Sequence, residues 1–194
     1  MREQVLIQKA EQSIREHFKN PTMEQLHYHN IEHTEIVVER VIQALHKQEM
    51  RDEEKNNVII AAWFHDVGYL YDYDNHEEKS IELCTEFLRK KQIDENRINE
   101  ICKMINSTKF QVIPRNEKEA LLKDIDIAYA LYTNFNSKGD LLKKEKEIKL
   151  NKQIDDAEWT NSQITFLNEI RFYSSYGRES FNKILEKTRR KASQ

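Results

Sequence analysis

The chain has 194 residues, a net charge of −3, and charged side chains of both signs spread along its length. One domain accommodates that length and buries roughly two-thirds of the surface an unfolded chain exposes. With only three glycines and two prolines, a many-stranded β fold lacks turn residues, and no glycine cluster exists to cradle phosphates as dinucleotide-binding and P-loop proteins do. The lack of a basic stripe argues against long nucleic acids as partners. No apolar run reaches membrane-spanning length, and the opening MREQVLIQKAEQSIREHF has no signal-peptide core. The expectation is a cytoplasmic, all-α, single-domain protein over 1–194, with no membrane partner.

Apolar residues recur at helical spacing from the start: Val5, Leu6, Ala10, Ile14 and Phe18 form a stripe that Asn20-Pro21 ends. Ile36, Val37, Val41, Ile42 and Leu45 predict a helix over about 31–47, with His33 in its first turn and His29 just before it or at its start. Val58 to Phe64 is apolar on every side, which marks a central buried helix, and Gly68 stands where a C′ glycine would end it. His65 and Asp66 therefore fall at the end of the most buried element. Ile81, Cys84, Phe87 and Leu88 predict another helix, as do Ile98, Ile101, Met104 and Ile105. Ala120, Leu121, Ile125, Ala128, Leu131 and Tyr132 predict one that contains both Asp124 and Asp126. Further helices are expected at about 140–155, 157–174 and 178–190. The run Lys143 to Glu147 reads as a solvated helix face, Cys84 and Cys102 as ordinary semi-buried thiols, and Phe166, Phe172, Tyr173 and Phe181 as core or dimer surface, with core the preferred reading.

All seven histidines lie between His17 and His76, so any metal site must combine imidazoles from the first part of the chain with carboxylates. His17, His27 and His46 sit in polar company and read as surface residues. His65-Asp66 differs, because a carboxylate at the tip of an apolar helix is costly unless it meets a metal or a cation. A neutral imidazole beside a carboxylate suits one divalent ion such as Mn²⁺, Fe²⁺ or Zn²⁺, with Mg²⁺ open if few imidazoles bind.

The string Tyr28-His29-Asn30-Ile31-Glu32-His33, then Ala61-Ala62-Trp63-Phe64-His65-Asp66, then Asp124-Ile125-Asp126 in a helix, resembles the H…HD…D signature of the HD superfamily. It is most similar to a bacterial group of metal-dependent HD phosphohydrolases, whose YHN-x-x-H, AAWFHD and D-x-D landmarks recur here in order from about Tyr28 to Asp126. That resemblance implies a helical HD bundle, with the motif core at about 28–132 and C-terminal helices at about 140–190 packing on it. It implies His33, His65, Asp66 and Asp126 as ligands of a catalytic metal, with Asp124 the alternative to Asp126. The YHN-x-x-H string is also similar to that of cyclic-nucleotide phosphodiesterases, which implies His29 as the acid that protonates the leaving oxygen. Glu32 and Glu77 are both candidates to hold its other nitrogen.

The implied reaction is hydrolysis of a phosphate ester of a small, nucleotide-like molecule by metal-activated water, with Asp66 and His29 as catalytic residues. Lys109 and Arg115 are candidates to bind the substrate phosphate. His76 is the only histidine between the HD pair and Asp126, which favours a single metal, and Phe110 stands where a further histidine is expected. Two other readings remain at this point: a non-catalytic HD domain that senses metal and nucleotide, and a zinc peptidase using His29, Glu32 and His33 as H-x-x-E-H.

Overall fold

The computed structural model describes residues 3–192, and every regular element among them is helical. The chain runs through α1 (Glu3–His17), α2 (Ile31–Leu45), α3 (Asp52–Phe64), α4 (His76–Lys90), α5 (Glu95–Ser107), α6 (Glu117–Thr133), α7 (Phe135–Leu150), α8 (Asp156–Glu169) and α9 (Ser175–Ala192). Two short 3-10 helices, Pro21–Gln25 and Val67–Leu70, lie between α1 and α2 and between α3 and α4.

α3 opens on a charged first turn but is apolar on every side from Val58 to Phe64, and it is the hub, packed by α1, α2, α5 and α6, because a stretch without a polar face can be stable only when surrounded. α6 is the second such element, touching α2, α3, α5, α7 and α9. One core runs from Leu6 to Leu185. Phe64 lies fully inside it, and truncating such a side chain to alanine costs about 3–5 kcal/mol. Phe172 and Phe181 are buried in the core and the half-buried Phe166 packs against it, while Tyr173 is half-buried outside that cluster. Cys84 is buried, Cys102 is half-buried, and both are free thiols. No described helix is long and apolar enough to cross a membrane.

Two helix ends shape the site. Asn30 caps α2, its side chain accepting from the His33 amide at 3.0 Å, which satisfies one of the donors a helix N-terminus leaves open. α3 ends at Phe64, and the chain passes through His65 in a right-handed conformation and Asp66 (φ −114°, ψ 0°) into the 3-10 helix. The expected left-handed glycine cap is not what Gly68 provides, since no glycine in the structure has a positive φ among the described residues. Space is its reason: a Cβ there would lie 1.9 Å from the carbonyl oxygen of His76. The first turn of α4 thus presses directly on the turn that carries His65 and Asp66, and Gly68 N donates to Ser80 Oγ at 2.9 Å.

The C-terminal helices shift from their expected bounds. α7 begins at Phe135 because Asn134 caps it through the Ser137 amide, and it ends on Asn151 in the left-handed region (φ 47°). α8 stops at Glu169 so that the Tyr173 and Ser174 amides can reach Asp124.

Candidate metal centre

His33 from the first turn of α2, His65 and Asp66 from the end of α3, and Asp126 from the middle of α6 converge in the core. One donor atom from each lies within 4.8 Å of all the others. His33 Nε2 stands 3.1 Å from His65 Nε2, 3.0 Å from Asp66 Oδ2 and 3.3 Å from Asp126 Oδ1. His65 Nε2 stands 3.2 Å and 3.4 Å from the same two oxygens. Donors bonded at about 2.1 Å to one ion are about 3.0 Å apart along an octahedral edge and about 3.4 Å along a tetrahedral one. The observed separations fall in that range.

The donor chemistry fits a cation as well as the distances do. His65 Nδ1 faces the Ala62 carbonyl at 2.8 Å, and a carbonyl only accepts, so Nδ1 carries the proton and Nε2 presents a lone pair to the cluster. Two imidazole Nε2 atoms at 3.1 Å can share a proton or a metal ion between them. Two carboxylates in the same space need compensating positive charge, since unpaired charge in a core is strongly unfavourable. Burial opposes charging of His33, but its hydrogen bonds to Asp126 and Asp66 carry its pKa above the ordinary value. His65 is raised further, against burial, by the Asp66 charge. Burial likewise opposes ionisation of Asp66 and Asp126, yet the imidazoles hold Asp66 well below the carboxylate range and bring Asp126 down to about 2. The imidazoles and carboxylates thus favour each other's charged forms, and a divalent cation binding among them would displace the imidazole protons.

Asp124 takes no part. Its carboxylate accepts from Tyr173 N at 2.9 Å, Ser174 N at 2.7 Å and Ser174 Oγ at 2.7 Å, at the junction with α9. Gly177 exists for that contact, since a Cβ there would fall 2.2 Å from Asp124 Oδ2. The choice left open between the two aspartates is decided by position: residues two apart on a helix point about 200° away from each other.

His29 stands beside the cluster, its ring centroid 5.9 Å from that of His33. Neither Glu32 nor Glu77 holds its Nδ1. The partner is Glu145 Oε1 at 2.5 Å, and Glu145 Oε2 also accepts from the amides of Tyr28 and His29 at 2.8 and 3.0 Å. Tyr73 donates its hydroxyl to Glu145 Oε1 at 3.2 Å. Glu145 is fully buried, which corrects the reading of residues 143–147 as a wholly solvated face. Burial raises its carboxyl, and the His29 charge, hydrogen bond and backbone amides bring it below the ordinary value. Glu32 is two-thirds exposed with Lys138 3.8 Å away, so the H-x-x-E-H arrangement lacks its glutamate at the cluster.

Access to the cluster lies on the side of Asp126, His29, His76 and Glu77, whose side chains stay 13–19% exposed. His76 Nε2 is 4.0 Å from Asp66 Oδ1, and its Nδ1 is 3.3 Å from Glu77. Burial pushes His76 down to about 4. Lys109 pairs with Glu78 near this rim. Arg115 instead lines a separate cleft with Cys102 and Ile113, and the Phe110 ring packs 5.4 Å from Phe166. His46 is exposed and His27 half-buried, while His17 is tied at Nδ1 to the Tyr71 hydroxyl at 2.6 Å. No protein-family profile matches the chain, and neither do curated proteins or solved structures.

Proposed function

We propose that this protein is a metal-dependent phosphohydrolase of the HD type, acting on a phosphate ester of a small, nucleotide-like molecule. The observation that carries the reading is a buried two-histidine, two-carboxylate cluster with a further histidine beside it, oriented by a buried glutamate. His33, His65, Asp66 and Asp126 would hold the ion. Two imidazoles and two carboxylates suit Mn²⁺, Fe²⁺ or Zn²⁺ better than Mg²⁺, which prefers oxygen ligands. A bound ion of this kind lowers the pKa of water and draws charge from a phosphoryl oxygen.

The protein's own residues supply the rest. Asp66 and Asp126 together carry two negative charges, which balance a divalent ion and leave the centre neutral before an anionic ester arrives. Glu145 accepts from His29 Nδ1, so a proton available for transfer would sit on Nε2. His29 is thereby suited to donate a proton to a leaving alkoxide. The rings of Tyr28 and Tyr69 pack against the His29 imidazole.

Hydrolysis of bis-p-nitrophenyl phosphate by protein loaded in turn with Mn²⁺, Fe²⁺, Zn²⁺ and Mg²⁺ tests the proposal. Turnover that needs metal and falls about 10²-fold or more in His29→Asn on an ester with a poor leaving group is the expected result. Nucleotide binding without turnover under any of the four ions overturns it in favour of a sensor domain.

A further inference from the structure

Tyr69, three residues after Asp66 in the 3-10 helix, places its ring between two imidazoles from different parts of the chain. On one side the His29 ring is stacked at 3.9 Å between centroids with 18° between planes, and on the other the His76 ring is stacked at 3.6 Å and 14°. The outer rings are 6.4 Å apart. Each is also anchored at Nδ1 by a glutamate, Glu145 for His29 and Glu77 for His76.

A single hydrogen bond is a hinge. The Glu145 contact restrains His29 Nδ1 but does not by itself fix the plane of the ring. A flat ring packed against the imidazole face does. Tyr69 cannot yield in turn, because His76 blocks its far face and the first turn of α4, pressed on Gly68, holds His76 in place. Tyr28 closes a further side of His29 with an edge contact at 4.7 Å.

We propose that Tyr69 is a positioning residue: clamped by His76, its ring sets the plane of the His29 imidazole and so aims Nε2 at the leaving oxygen. The catalytic part of this inference rests on the phosphohydrolase reading. Only the ring face is required of Tyr69, so phenylalanine suffices and an aliphatic side chain does not.

The test compares wild type, Tyr69→Phe and Tyr69→Leu with two readouts. The first is the His29 Hε1 resonance by NMR in the metal-free protein. A ring-current shift is expected in wild type and in Tyr69→Phe and lost in Tyr69→Leu; an unchanged resonance in Tyr69→Leu overturns the clamp. The second is kcat of the Mn²⁺-loaded protein on bis-p-nitrophenyl phosphate and on diphenyl phosphate, whose leaving phenol is the weaker acid and needs the proton more. Tyr69→Leu should lose about tenfold or more on diphenyl phosphate and no more than about threefold on the nitrophenyl ester, with Tyr69→Phe close to wild type on both. Equal losses on both esters, or a Tyr69→Phe as impaired as Tyr69→Leu, overturn the positioning role. Failure of wild type to hydrolyse either ester with metal bound sinks the phosphohydrolase reading instead, and the resonance then decides the clamp by itself.

Discussion

Two carboxylates of α6, separated by a single isoleucine, end in opposite environments. Asp124 is filled by protein donors, two amides and a hydroxyl at the α9 junction, while Asp126 faces two imidazoles and another carboxylate, with no backbone donor among its neighbours in the cluster. Burial pushes Asp124 up to about 6 despite its hydrogen bonds, whereas the histidines bring Asp126 down to about 2. The difference teaches that burial alone does not mark a ligand. What distinguishes Asp126 is that its partners are imidazoles and a carboxylate, groups that can all bind a metal, whereas those of Asp124 are backbone amides and a hydroxyl. Glu145 belongs with Asp124 on this criterion, since all its contacts are N–H or O–H donors.

The largest effect should come from emptying a filled site. Glu145→Ala strands two amides, an imidazole N–H and a hydroxyl, and is expected to lower unfolding stability by about 3 kcal/mol. Lys144→Ala, on the exposed side of the same run, should stay within about 0.5 kcal/mol, both read by denaturant unfolding. Equal losses at the two positions would erase the distinction between them.

A smaller effect is expected at Gly177, where an added methyl meets the Asp124 carboxylate. Gly177→Ala should cost about 2 kcal/mol as an overpacked contact. Gly139→Ala serves as its control: the new Cβ would meet only the side chain of Gln163, at 3.3 Å, and alanine gains up to about 1 kcal/mol over glycine inside a helix. That variant should be neutral or slightly stabilised.

The gentlest test uses pH. Because the folded-state pKa of Asp124 is raised to about 6 from 3.8, the folded protein holds a proton that the unfolded chain has released between those values. The contribution of this group is therefore fully present below about pH 4 and is lost as pH rises through about 6. Stability curves of wild type minus those of Asp124→Asn should fall across that window, and a difference that rises with pH would contradict the assignment.

The helices were legible because their apolar spacing is local, and His65-Asp66 stood out as a polar pair at the tip of an apolar stretch, whereas His33 and Asp126 were implied only by the resemblance to the HD signature. Asp124 and Asp126 stayed ambiguous for a physical reason: both lie on a helix buried on several sides, so periodicity assigns neither to a solvent face. Glu145 was hidden more deeply. Its neighbours Lys143, Lys144, Lys146 and Glu147 give the local pattern of a solvated helix, and only the packing of α7 across the chain start of α2, more than 110 residues away in sequence, buries it against His29. Gly68 was misread because a close approach to α4 leaves no trace in the residues around it.

The most direct measurement is the metal content, by elemental analysis, of wild type, Asp126→Asn and Asp124→Asn purified without chelator, with folding checked by circular dichroism. The account predicts about one equivalent of divalent metal in wild type and in folded Asp124→Asn, as a single four-donor site implies, and its loss in Asp126→Asn. Metal retained undiminished in Asp126→Asn, or lost from folded Asp124→Asn, would contradict it.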